Sequence, residues 1–110
     1  MELVQGTLDV LVLKALEWGP LHGYAISRWI KATTRDVLTV EEGALYPALH
    51  RLERKRLVES EWGASENNRR AKFYQLTGKG RKALEAETAS WAEYARAVER
   101  VLGARGPGER

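Results

Sequence analysis

With 110 residues and 44% hydrophobic content, the chain is long enough for one small domain and an appended helix. The absence of cysteine excludes disulfides, a thiol nucleophile and every zinc site built on Cys ligands. The net charge of +3 is modest, but residues 66–82 carry Arg69, Arg70, Lys72, Lys79, Arg81 and Lys82 against Glu66 alone, whereas residues 1–40 balance four bases with four acids. Such a local basic patch is what a large polyanionic partner requires.

The N-terminus lacks a basic n-region and no apolar run approaches membrane-spanning length, so a cytoplasmic protein with no membrane partner is expected. Residues 7–18 predict a first helix, with Thr7 as N-cap and Gly19-Pro20 as the stop. Leu8, Leu11, Val12, Ala15 and Leu16 form one stripe, and Val4, Val10, Leu13 and Trp18 add apolar surface outside it. A helix apolar around most of its circumference is buried on more than one side, and a second copy of the chain is expected to cover one of them. Gly19-Pro20-Leu21-His22-Gly23 reads as a turn in which His22 is structural. A second helix follows to Ala32, with Ile26, Trp29 and Ile30 inward. Gly23 lowers helix propensity at its start and leaves room for a close approach by a neighbouring helix. Val37-Leu38-Thr39-Val40, rich in β-branched residues, predicts one very short strand.

Residues 41–56 predict a third helix with two faces. Leu45, Ala48, Leu49 and Leu52 recur at three- and four-residue spacing, and the other face carries Tyr46, His50, Arg51, Arg54 and Lys55. Thr39 and Glu42 have capping-box spacing, while Pro47 belongs in a first turn; a start between residues 40 and 44 with an irregular first turn reconciles them. Leu57–Trp62 and Ala71–Leu76 then read as the strands of a hairpin around Gly63-Ala64-Ser65-Glu66-Asn67-Asn68. Thr77 is a plausible cap for a long helix from about Lys79 to Leu102. Along it Leu84, Thr88, Trp91, Ala95, Val98 and Leu102 alternate spacings of four and three, a heptad seam that wants a partner helix. Residues 103–110 are Gly- and Pro-rich and expected to fray.

Three helices, a basic hairpin and a long helix make a mainly α fold with a small β-hairpin: a winged helix-turn-helix at residues 1–78, a dimerisation helix at 79–102 and a flexible tail at 103–110. In that design the third helix enters the major groove and the wing follows the backbone or the minor groove. Tyr46, Pro47, His50, Arg51 and Arg54 are the expected helix contacts; Tyr46 suits a phosphate or a thymine methyl, and Arg51 or Arg54 suits guanine, worth about 1–3 kcal/mol of discrimination. Arg69, Arg70 and Lys72 are the expected wing contacts, and Asn67 and Asn68 either join them or only make the turn. Lys79, Arg81 and Lys82 reach phosphate or remain solvated. With only His22 and His50 as imidazoles, no phosphate-cradling glycine loop and no nucleophile elbow, neither an enzyme nor a metal or cofactor site is expected. A winged-helix adaptor for other proteins is the alternative.

Leu16-Glu17-Trp18-Gly19-Pro20-Leu21-His22-Gly23-Tyr24 resembles the turn motif of PadR-type transcriptional regulators. Residues 42–53 resemble their recognition helix, with Ala44 where Ser or Thr is more usual, and Asn67-Asn68-Arg69-Arg70-Ala71-Lys72-Phe73-Tyr74-Gln75-Leu76-Thr77 resembles their wing. The continuous form Trp62-Gly63-Ala64-Ser65-Glu66-Asn67-Asn68-Arg69-Arg70 looks like the acidobacterial subgroup. The resemblance spans about residues 6–102. It implies a homodimeric repressor on a pseudo-palindromic duplex DNA operator, released by an effector or another signal. The first and last helices would form the dimer, through Leu8, Leu84, Thr88, Trp91, Ala95, Val98 and Leu102. In some compact relatives, paired tryptophans stack a planar aromatic effector at that interface; Trp91 falls there, as such a platform or as plain dimer core.

Overall fold

The computed structural model describes residues 6–108; Val4 and the last two residues of the expected tail lie outside the described residues. The order is α1 (Thr7–Ala15), β1 (Leu21–His22), α2 (Gly23–Thr33), α3 (Glu42–Arg54), β2 (Val58–Ala64), β3 (Arg70–Leu76) and α4 (Gly78–Leu102). The strands form one antiparallel sheet in the order β1-β3-β2. This is the winged helix-turn-helix expected, with its long final helix. Among the described residues, no helix is long and apolar enough to cross a membrane.

The core is one cluster. Val12, Leu13 and Leu16 from the first segment, Ile26 and Ile30 from α2, Leu45, Ala48, Leu49 and Leu52 from α3, and Val58, Tyr74 and Leu76 from the sheet are all nearly inaccessible. Leu8 and Leu84 also belong to it. That corrects their expected place in a dimer interface: α1 and α4 pack on each other within one chain, and these two side chains are spent there.

Several local expectations are also corrected. Helix α1 ends at Ala15, because Leu16 and Glu17 donate to Leu13 and Lys14 in a tighter turn. Its N-cap is Gly6, in the left-handed region at φ 88°, and the buried Thr7 hydroxyl has no hydrogen-bond partner among the described residues. Residues 37–40 form no strand. They follow a left-handed pair, Arg35 and Asp36, and Thr34 Oγ1 receives the Leu38 N–H. The third strand is instead β1, inside the segment read as a turn, pairing Leu21 with Tyr74 and His22 with Phe73. Two residues are too few to display alternation. His22 is structural, as expected: its Nδ1 accepts the Ala25 N–H and caps α2. The Thr39–Glu42 capping box does not form. Helix α3 starts at Glu42 with Glu41 as N-cap, and Pro47 sits in its interior.

Helix α4 is seated on the end of α3. At that end the Leu57 N–H donates to Leu52 and the Arg56 N–H to Glu53, a Schellman closure that puts Arg56 at φ 62°. Thr77 caps α4 by accepting the Gly80 N–H, and its hydroxyl donates to the Arg56 carbonyl at 2.6 Å. The Thr77 N–H donates to Leu57, and Lys79 Nζ donates to the Lys55 carbonyl at 3.1 Å. Gly80 lies against the Leu57 carbonyl so closely that a Cβ would overlap it, whereas a Cβ on Gly78 would meet open space.

These two glycines should behave oppositely. Gly80→Ala must push α4 off Leu57 and should cost at least the roughly 1–3 kcal/mol of overpacking in urea unfolding. Gly78→Ala should be neutral or stabilising by up to about 1 kcal/mol. Equal midpoints for the two variants would contradict this seating.

Candidate nucleic-acid interface

Burying Leu45, Ala48, Leu49 and Leu52 fixes the rotation of α3. At 100° per residue, the side opposite that stripe is held by Gly43, Pro47, His50 and Arg54, all exposed. These four form the outer ridge. Tyr46 and Glu53 lean toward the wing; Ala44, Arg51 and Lys55 lean the other way. Proline in the ridge leaves the Gly43 carbonyl without a helical donor, which solvent at this exposed position can satisfy.

Tyr46 is held by a gap in α2. Its hydroxyl and ring would lie 2.9–3.1 Å from a Cβ on Gly23, so a larger residue there would displace it. This is the close approach that Gly23 was expected to allow. Arg51 takes another path: its guanidinium donates to Asp9 of α1 at 2.9 Å and is absent from the cleft described below. Arg54 and His50 have no side-chain partner among the described residues.

The hairpin has two chemically distinct faces. In register, Val58, Ser60, Trp62 and Ala64 oppose Leu76, Tyr74, Lys72 and Arg70, and this inner face runs from the core outward to the tip. Its outer half carries Arg70 and Lys72 beside α3. The reverse face carries Glu59, Glu61, Phe73 and Gln75, with Gln75 donating to Glu59. Glu53 of α3 ties the inner face to the helix, accepting the Ser60 hydroxyl at 2.6 Å and pairing with Lys72 at 3.7 Å. Arg70 lies over the Trp62 ring at 4.6 Å. At the tip, Asn68 adopts φ 57° and donates its N–H to Ser65, so it makes the turn. Asn67 and Arg69 project from that turn, exposed.

Ridge and wing enclose an open cleft of about 460 Å³ lined by His22, Gly23, Tyr24, Tyr46, His50, Trp62, Arg70, Ala71, Lys72 and Tyr74. Burial pushes the Tyr74 hydroxyl's pKa upward, and the nearby Glu53 carboxylate and Tyr46 add to the shift. The structure therefore gathers Tyr46, His50, Arg70 and Lys72 into one concavity, while Pro47 and Arg54 are exposed with His50 on the ridge of α3. Lys79 is committed to α3, while Arg81 and Lys82 stay exposed. Sequence reasoning missed Glu53, Trp62 and Tyr24. Glu53 was detectable, since it is seven residues after Tyr46 and therefore on the same flank.

On α4, Thr88 is exposed, with its hydroxyl turned back onto the Leu84 carbonyl. Trp91 is 43%, Val98 37% and Leu102 80% exposed, and Ala95 is half-buried, so the seam beyond Leu84 is uncovered in a single chain.

The transcriptional regulator PadR-like family matches residues 12–86. Among solved structures, a transcriptional regulator from Clostridium thermocellum is 28% identical with a TM-score of 0.79, covering 87% of this chain and 93% of its own. A PadR family transcription regulator from Clostridium difficile is 31% identical with a TM-score of 0.75, covering 89% of this chain and all of its own. An uncharacterized protein of Lysinibacillus sphaericus is 29% identical over 92 residues, 84% of each chain.

Tyr74 gives the site a pH signature. A hydroxyl whose folded pKa is raised stabilises the fold fully below its unfolded value of about 10, and that contribution is lost as pH climbs toward the folded value. Tyr74→Phe should therefore flatten the decline of the urea midpoint above about pH 10. Identical declines in both proteins would show that Tyr74 does not carry it.

Proposed function

The chain belongs to the transcriptional regulator PadR-like family, a family of DNA-binding transcription regulators and not of enzymes, and on that premise we propose that it is a homodimeric repressor of a pseudo-palindromic operator. His50 and Arg54 on the ridge, with Pro47 and Tyr46 beside them, read the major groove. Arg69, Arg70 and Lys72, with Asn67 and Asn68 at the turn, hold the wing on the backbone or in the minor groove. Arg51 braces α3 against α1 through Asp9 and reaches bases only by giving up that pair.

The observation that carries the reading is the division of charge across the hairpin. Cations occupy the face that meets α3, and glutamates the face that turns from it. A polyanion is attracted into the cleft and repelled from the back of the wing. A protein-binding adaptor has no need of that division.

Dimerisation through α4 is supported by Trp91, Tyr94, Val98, Val101 and Leu102, large apolar side chains exposed on its second half. Thr88, Trp91, Ala95, Val98 and Leu102 face the partner helix. An effector that releases the repressor fits the same interface: Trp91 and Tyr94, with ring centroids 5.7 Å apart, offer a surface for a planar aromatic compound, or pack as dimer core alone.

Duplex DNA binding against salt tests the reading. Arg69→Ala with Arg70→Ala should weaken binding to every duplex and shallow the log–log salt slope by roughly 0.9 for each phosphate no longer neutralised. Arg54→Ala should instead relax preference at one base pair per half-site, by about 1–3 kcal/mol. A wild-type affinity that barely responds to salt would favour the adaptor, and unaltered selectivity for Arg54→Ala would remove it from the readout.

A further inference from the structure

We propose that Trp62 is a positioning residue for DNA binding: its indole holds the Arg70 guanidinium in place over the cleft while leaving all of that group's hydrogen-bond donors free for the nucleic acid. The inference rests on the DNA-binding role of Arg70 given above.

Trp62 is 56% exposed on β2, and as a hydrophobic side chain it gains little from where it stands. Its register partner is Lys72, and Arg70 is the diagonal neighbour on the same face, with its guanidinium carbon 4.6 Å from the ring centroid. Two cations two residues apart on one strand face repel each other and splay. Here each has its own anchor. Lys72 is drawn toward Glu53 and lies 5.8 Å from the Tyr74 ring, and Arg70 rests on Trp62.

The nature of the anchor matters. An arginine tied to a carboxylate spends in-plane N–H donors on it, as Arg51 Nη2 does on Asp9. Among the described residues Arg70 has no carboxylate partner. Stacking engages the face of the guanidinium and leaves its five donors directed outward in plane. An exposed arginine at a strand end otherwise carries substantial rotamer freedom that must be lost when it grips phosphate. Trp62 removes part of that cost before DNA arrives.

The test compares wild type, Trp62→Thr, Trp62→Phe, Arg70→Ala and the double variant Trp62→Thr/Arg70→Ala in equilibrium binding to a mixed-sequence duplex at several salt concentrations. Urea midpoints serve as a check on folding. Trp62→Thr should weaken binding about two- to fivefold per protomer, the scale of an exposed cation–π contact, with the salt slope kept because Arg70 still reaches phosphate. Arg70→Ala should weaken binding and shallow the slope. The double variant should be no weaker than Arg70→Ala alone, and Trp62→Phe should recover most of the loss. Losses that multiply in the double variant, no loss in Trp62→Thr, or a slope shallowed by Trp62→Thr itself would overturn the proposal. Failure of wild type to bind duplex, or full binding by Arg70→Ala, would overturn it too, but by removing the role of Arg70.

Discussion

Four side chains of α3 point into an apolar core and leave it no freedom to turn. Each of Leu45, Ala48, Leu49 and Leu52 is at most 1% exposed. Burying a leucine is worth about 1.5–3 kcal/mol, and rotating the helix by one residue would return most of that surface to water. The opposite ridge is therefore placed by burial alone, without any contact of its own. Pro47, His50 and Arg54 present themselves outward because the helix has no other way to lie.

Everything around α3 then serves to hold its neighbours in fixed relation to it. Glu53 fastens the wing by accepting from Ser60 and pairing with Lys72. Arg51 fastens α1 through Asp9. The α3 terminus fastens α4, through the carbonyls of Lys55, Arg56 and Leu57 and the missing side chain of Gly80. The exposed ion pairs are individually weak. Their value lies in geometry: wing, ridge and long helix share one rigid reference, so the angle of α4 translates directly into the placement of the ridge.

How much of this was legible in the residues depended on the range of the interactions. The α3 stripe, the hairpin and the α4 seam announce themselves because periodicity is a local signal that tertiary packing reinforces. Strand β1 did not, because two residues take their conformation from β3 and not from their own propensity. Residues 37–40 misled for the converse reason: their β-branching joins no strand of the sheet, because left-handed Arg35 and Asp36 send the chain elsewhere. Arg51 and Lys79 looked like free cations, and only the fold shows that Asp9 and the end of α3 occupy them. Leu8 and Leu84 belonged to real stripes, but spacing does not say whether the surface they meet is another chain or their own. The alternation along residues 57–62 placed Trp62 in a strand but did not name its partner; Arg70 is brought to it by the hairpin register.

The central claim is that nucleic acid lies against the ridge of α3 and the inner face of the wing. Backbone amide chemical shifts followed during titration with duplex DNA test it most directly. The largest changes should fall on Gly43, His50 and Arg54 and on residues 69–72, with Glu59, Glu61 and the distal half of α4 little affected. Changes concentrated on the acidic back of the wing or on α4, with the α3 ridge unmoved, would contradict it.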